Sequence, residues 1–353
     1  MQSKKVAVSD VQEKKFDIGF NFGQIFSYIA SRYGNQSKIP QDLMNKINKV
    51  VPKIMLISAR FSGTMSNYMN LNQKGYGEHE EVWGQWQILT NRLNLSEKFK
   101  YFGIAFSGNM KGLVNMLSKF VVKSFLYNFV ETVNQLGIKN VEFTFNSLSP
   151  YKNQSSIEDS IKSLVFIKNN VNITHLEIDN EGYLDKEVIG DNLGEIGAFD
   201  KTMDYVFYLD SIMPKIEAII GKSIPIGVPI APDTTPKFKG YNKAMIKFAD
   251  SLKSDGFVVY LVPHLYFSSY SDEVIERELS HYISNYVGKY PLRMTEFNAD
   301  SEAVYSSRNK NPNQEETLDF VNRVFKISKK LGLDSAYYHS IWTSDGAHFS
   351  FIK

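Results

Sequence analysis

Eight short β-prone runs alternate with amphipathic helical stretches along this chain, and that alternation limits the folds open to it more than any other feature. The runs span residues 16–22, 53–59, 140–145, 173–178, 223–228, 256–262, 292–296 and 334–341. Helical patterns fall between them, over residues 25–33 and 41–50, then 120–136, 157–169, 202–220, 241–254, 272–286 and 315–331. Gly137, Gly221 and Gly332 stand where three of these helices should end. Strands separated by helices pair in parallel through right-handed crossovers, and eight such units close on themselves. The expected fold class is therefore α/β, a (β/α)₈ TIM barrel forming a single domain over residues 1–353. Residues 62–119 fit no strand–helix unit and read as an insertion after strand two, on the face where the strands end.

Composition agrees with one large barrel and removes several other classes. The 353 residues are 43% hydrophobic, enough to bury a barrel core. The net charge of +2 is spread without a lysine- or arginine-rich block, so nucleic acid is not the expected partner. No window approaches eighteen uninterrupted apolar residues, which argues against a membrane span. With no cysteine, disulfides and thiolate nucleophiles are excluded. Residues 1–15 contain no apolar stretch of the signal-peptide kind. Most of the 20 tyrosines and 25 phenylalanines are expected to fill the core.

In a barrel of this kind, functional groups come from the C-terminal ends of several strands. Taken in order, those ends offer Asn21, Arg60, Asn146, Asn180 with Glu181, His264 with Tyr266, Glu296, and Trp342. Two carboxylates, Glu181 and Glu296, thus leave different strands toward one mouth, the arrangement that glycosidic bond cleavage requires. Glu177 is a rival acid, but it lies inside its strand and reads equally as a structural partner. His264 taken alone could be a satisfied strand-end histidine, Arg60 an ion-pair partner, and Trp342 plain core. His79, Glu80 and Glu81 do not have the spacing of H-E-x-x-H and read as a charged loop. In the insertion, Tyr76, Trp83, Trp86, Tyr101 and Phe106 supply rings, at least one of which is expected to contact sugar.

These strand-end motifs resemble clan A of the glycoside hydrolases, the retaining (β/α)₈ enzymes. Asn180-Glu181 resembles the clan's Asn-Glu pair, Glu296 in T-E-F-N its second glutamate, His264-Leu265-Tyr266 its His-x-Tyr, and Trp342 the aromatic after the last strand. Arg60-Phe61-Ser62-Gly63-Thr64 is similar to the Arg-Phe-Pro-Gly-Gly-Thr turn of the heparanase and arabinofuranosidase branches. The chain departs from those branches at Asp179, where glycine is common. The resemblance implies Glu181 as general acid/base, Glu296 as nucleophile supported by Tyr266 and Arg60, and Asn180 on the sugar 2-hydroxyl. Asn21, Asn146, His264 and Trp342 would complete the substrate site. It further implies a carbohydrate substrate, no cofactor and an extracellular or secreted place of action. Two alternatives remain at this point. One is a carbohydrate-binding or virion-associated barrel without turnover. The other is a different barrel enzyme, such as a metal-dependent hydrolase, for which the sequence displays no evident His/Asp cluster.

Overall fold

The structure, a computed structural model, describes residues 16–21, 41, 45, 58–61, 129–130, 133–153, 156–299 and 314–339. Eight parallel strands form a closed ring in sequence order: β1 (Asp17–Asn21), β2 (Ser58–Phe61), β3 (Asn140–Phe145), β4 (Ile173–Ile178), β5 (Ile226–Ile230), β6 (Val259–Phe267), β7 (Arg293–Ala299) and β8 (Ser335–Tyr338). The ring is closed by β1 against β8, with Asp17 opposite Ser335 and Phe20 opposite Tyr338. Outside it lie α1 (Ile157–Asn170), α2 (Glu195–Ile220), α3 (Pro236–Ser254), α4 (Asp272–Ile283) and α5 (Gln314–Lys330). The proposed insertion at 62–119 and the helix at 25–33 lie outside the described residues, as does most of the one at 41–50.

Strand boundaries differ from the sequence expectation in a consistent direction. β6 runs on through His264 and Tyr266, and β7 runs on past Glu296 to Ala299. The sequence pattern ends both sooner, because polar residues read as strand ends. Parallel pairing of His264 with Glu296 and of Tyr266 with Asn298 carries the ladder onward regardless of polarity. β2, described over Ser58–Phe61, contains Arg60, opposite Asn21 of β1. Helix α3 starts at Pro236, capped by Thr235, whose hydroxyl accepts from the Phe238 amide at 3.3 Å.

Alternation along each strand separates two layers. Val141, Phe143 and Phe145 of β3 and Leu176 and Ile178 of β4 face the helices and are buried in the apolar core. On β7, Phe297 packs edge-on against Phe320 and Phe325 of α5. The opposite faces carry Glu142, Thr144, His175 and Glu177, so the inside of the barrel is polar. Near the strand beginnings, Arg293 donates to Glu142 (3.0 Å), Tyr337 (2.7 Å) and Asp17 (3.3 Å), while Tyr260 donates to Glu142 (2.7 Å). Burial works against the charge on Arg293, but Glu142, Tyr337 and Tyr260 together outweigh it and hold the guanidinium firmly ionised. The Tyr260 ring needs room that only glycine leaves: a Cβ on Gly227 would come within 2.5 Å of it.

Candidate active site

The two glutamates reach the mouth by different local devices. Glu181 follows β4 by way of an unusual backbone: Asp179 has φ 72° and Glu181 φ 53°, both left-handed. For non-glycine residues each such conformation costs about 1–2 kcal/mol, so the surroundings must enforce it. Asp179 is the anchor. Its carboxylate accepts from the Asn180 amide at 2.6 Å and from Tyr205 of α2 at 3.0 Å, and Tyr205 in turn meets Ser147 at 2.7 Å. Burial raises the Asp179 carboxyl to about 7, against these hydrogen bonds, which lower it. The left-handed φ also explains why a glycine could serve at this position.

Glu296 arrives by a one-residue bulge. Against β6, Leu292 pairs with Leu261 but Glu296 with His264, so β7 carries one residue more than β6 over the same stretch. Against β8, Met294 pairs with Ala336 and Phe297 with Tyr338, so the extra residue lies between Met294 and Phe297. Met294 and Phe297 both sit in the apolar layer, and Thr295 and Glu296 are therefore both turned into the barrel. Bulges are a recognised means of re-aiming a side chain beside a functional site.

At the mouth, one oxygen of Glu181, one oxygen of Glu296 and a ring nitrogen of His264 all lie within 4.8 Å of one another. Tyr266 donates to Glu296 Oε1 while remaining 43% exposed itself. His264 stands between layers: Nδ1 is 3.1 Å from Glu181 Oε1, and Nε2 is 3.0 Å from Thr295 Oγ1. Below it, Glu177 accepts from Thr295 at 3.1 Å and from Thr144 at 3.4 Å, fully buried. Glu177 is thus a member of the interior layer. Of the pair, Glu296 is the more buried, with 7% of its side chain exposed against 21% for Glu181.

The structure brings together Glu181, His264, Tyr266 and Glu296. Asn180 adjoins them, half-buried. Asn146 is engaged elsewhere. Its side-chain amide binds Ser149, accepting from the backbone N–H at 3.1 Å and donating to Oγ at 3.3 Å. It thereby opens the short helical turn Leu148–Tyr151 rather than reaching toward the carboxylates. Asn21 and Arg60 occupy paired positions at the ends of β1 and β2, and their side chains lie outside the described residues, as do Trp342 and every ring of the insertion.

Three residues of the site escape the sequence reading. Tyr183 donates to Glu181 Oε1 at 2.9 Å, and its position two residues after the glutamate is the available signal. Thr295 adjoins Glu296 in sequence, but only the bulge turns both inward. His339, just after β8, lies with Nδ1 3.8 Å from Glu296 Oε2. Glu181, His264 and Glu296, all three read from the sequence as strand-end residues, also form a group able to offer three ligand atoms, a juxtaposition the sequence reading did not weigh for metal.

No protein-family model matches the sequence, and no curated protein matches it either. Among solved structures the chain is similar to a family 51 α-L-arabinofuranosidase from Bifidobacterium longum, at 9% identity over 96% of this chain and 69% of that one, with TM-score 0.49. It is similar to an endo-1,4-β-D-mannanase from Thermotoga petrophila, at 12% identity over 92% of this chain and 88% of that one, with TM-score 0.44. A family 39 glycoside hydrolase from Bacteroides cellulosilyticus matches at 12% identity and TM-score 0.46, over 96% of this chain and 60% of that one. At these scores the likenesses carry no argument about function, which has to come from the site's own geometry.

Proposed function

We propose that this chain is a retaining glycoside hydrolase of the clan A type, cleaving O-glycosidic bonds in a poly- or oligosaccharide by double displacement. The observation that carries the reading is the approach of Glu181 and Glu296 to within 4.8 Å, oxygen to oxygen. Retaining enzymes hold their carboxyl groups about 5–5.5 Å apart, whereas inverting ones leave about 6.5–9.5 Å for a water.

Glu296 is the nucleophile. Tyr266 holds Oε1, and Oε2 attacks the anomeric carbon. Glu181, oriented by Tyr183 and His264, gives its proton to the departing oxygen as the glycosyl bond to Glu296 forms. It then takes a proton from the water that releases the sugar. Asn180 holds the 2-hydroxyl. The chain works as a single catalytic domain outside the cell, with residues 62–119 walling the cleft. A barrel that binds carbohydrate without turnover is the competing reading, and the close carboxylate pair disfavours it.

Early-time proton NMR of hydrolysis tests the proposal. The first-formed sugar should keep its anomeric configuration, and Glu181→Ala on an aryl glycoside with added azide should yield a glycosyl azide of retained configuration. Activity should survive exhaustive chelation. An inverted first product overturns the mechanism, and activity lost on chelation and restored by a divalent cation would favour the metal-dependent reading.

A further inference from the structure

One buried polar atom without a hydrogen-bond partner among the described residues faces the site: His339 Nδ1. A buried donor or acceptor left unmade costs about 1–3 kcal/mol, so such an atom calls for an explanation. The ring is not there through looseness of the chain. The His339 amide donates to the Phe297 carbonyl at 2.9 Å, and its own carbonyl accepts from the Asn298 side chain, so both ends of the residue are fastened to β7. The imidazole meets the Tyr266 ring at 6.4 Å and an interplanar angle of 70°, which fixes its plane.

Its nitrogen lies 3.8 Å from Glu296 Oε2. That is too long for a hydrogen bond between them, yet an oxygen placed at the apex could stand about 2.8 Å from both. The two sides ask for complementary things. A carboxylate only accepts, while an imidazole nitrogen donates or accepts according to its tautomer. A hydroxyl group meets both demands. Tyr266 donates to Glu296 Oε1, while the imidazole lies on the side of Oε2.

We infer that His339 is a sugar-binding and specificity-determining residue, whose Nδ1 takes one ring hydroxyl of the sugar held over Glu296. The inference rests on the reading of Glu296 as nucleophile. It names a substrate with a free hydroxyl close to its anomeric carbon, and it predicts discrimination against sugars that lack that hydroxyl. Substrate would provide the partner that the described residues do not.

The test is a cycle of kcat/KM values. The parent compound is the 4-nitrophenyl glycoside that the wild-type protein cleaves fastest in a panel of pentosides and hexosides; its partners are the monodeoxy analogues at each ring position. His339→Ala should lose about 10- to 100-fold on the parent but almost nothing further on one of the analogues, because the contact is already gone. His339→Asn, which places an amide near the Nδ1 position, should recover part of the loss on the parent and none on that analogue. If His339→Ala falls by the same factor on every analogue, the residue is structural and the inference is overturned while the glycosidase reading stands. Should His339→Ala not fold, His339→Asn carries the same cycle, and uniform losses again count against the inference. If the wild-type protein cleaves no member of the panel or of a polysaccharide set, the glycosidase reading fails, and this inference fails with it.

Discussion

Two groups of buried carboxylates lie inside one barrel, and they are treated in opposite ways. At the strand beginnings, Glu142 accepts from Arg293 and Tyr260, and Arg293 also meets Asp17 and Tyr337. Every strong charge there has an opposite charge against it, and His175 is kept neutral by burial, lowered to about 4. At the strand ends, Glu181 and Glu296 face one another, and the described groups around them include phenols and imidazoles, those of Tyr183, Tyr266, His264 and His339. Both groups place carboxylates away from water. The first is arranged for compensation within the folded chain, as a structural plug would be. The second sets two carboxyl groups beside each other, so that ionising both at once is disfavoured, an arrangement retained where a ligand or reaction makes use of it.

The largest expected effect breaks the symmetry between the two. Glu296→Gln should reduce hydrolysis by about 10⁴-fold or more, since the nucleophile is removed. Its midpoint of urea unfolding should stay where it is or rise. Next in size, Arg293→Met should cost about 3–5 kcal/mol of stability, because it strands Glu142 as a buried unpaired charge. Equal destabilisation by the two substitutions would show that the ends do not differ in this way.

A smaller effect sharpens the account of the lower group. Gly227→Ala drives a methyl into the Tyr260 ring, and overpacking of this kind costs about 1–3 kcal/mol. Chemical denaturation should show the loss, and Gly227→Ala with Tyr260→Phe should not restore it, since the clash reaches the ring as well as the hydroxyl. Recovery in the double variant would place the clash at the hydroxyl alone.

The last effect is a slope. Asp179 in the folded protein titrates at about 7, raised by burial, against an ordinary value of 3.8. Between those pH values the folded form keeps a proton that the unfolded form has lost. Stability therefore falls as pH rises across the window, by up to about 1.4 kcal/mol per pH unit from this group. Asp179→Asn can still accept from the Asn180 amide and meet Tyr205. It should flatten that decline in urea midpoints measured from pH 4 to 7, and an unchanged slope would assign the titration elsewhere.

Much of the fold was legible because secondary structure depends on local period. Val141, Phe143 and Phe145 alternate with polar residues in β3, and α4 begins at Asp272 as the sequence pattern has it, whereas α3 begins at Pro236, ahead of the expected 241. The site was legible in part. Glu181, Glu296, His264 and Tyr266 could be named because barrel strands deliver function at their C-terminal ends. Asn146 met the same criterion, yet Ser149 three residues on claims its amide, a local competition that the strand-end rule does not weigh.

By itself, then, the sequence determined the order of strands and helices and which side chains stood at the strand ends, since both follow from residues within a few positions of each other. Only the tertiary structure decided which of those side chains meet. The approach of the two glutamates to within 4.8 Å depends on a left-handed turn that Tyr205 and Ser147 enforce from distant elements, and on one extra residue in β7 that is defined only by its pairing with β6 and β8. Register is a relation between strands, and a shift of one residue turns a side chain from one face to the other, so no local pattern contains it.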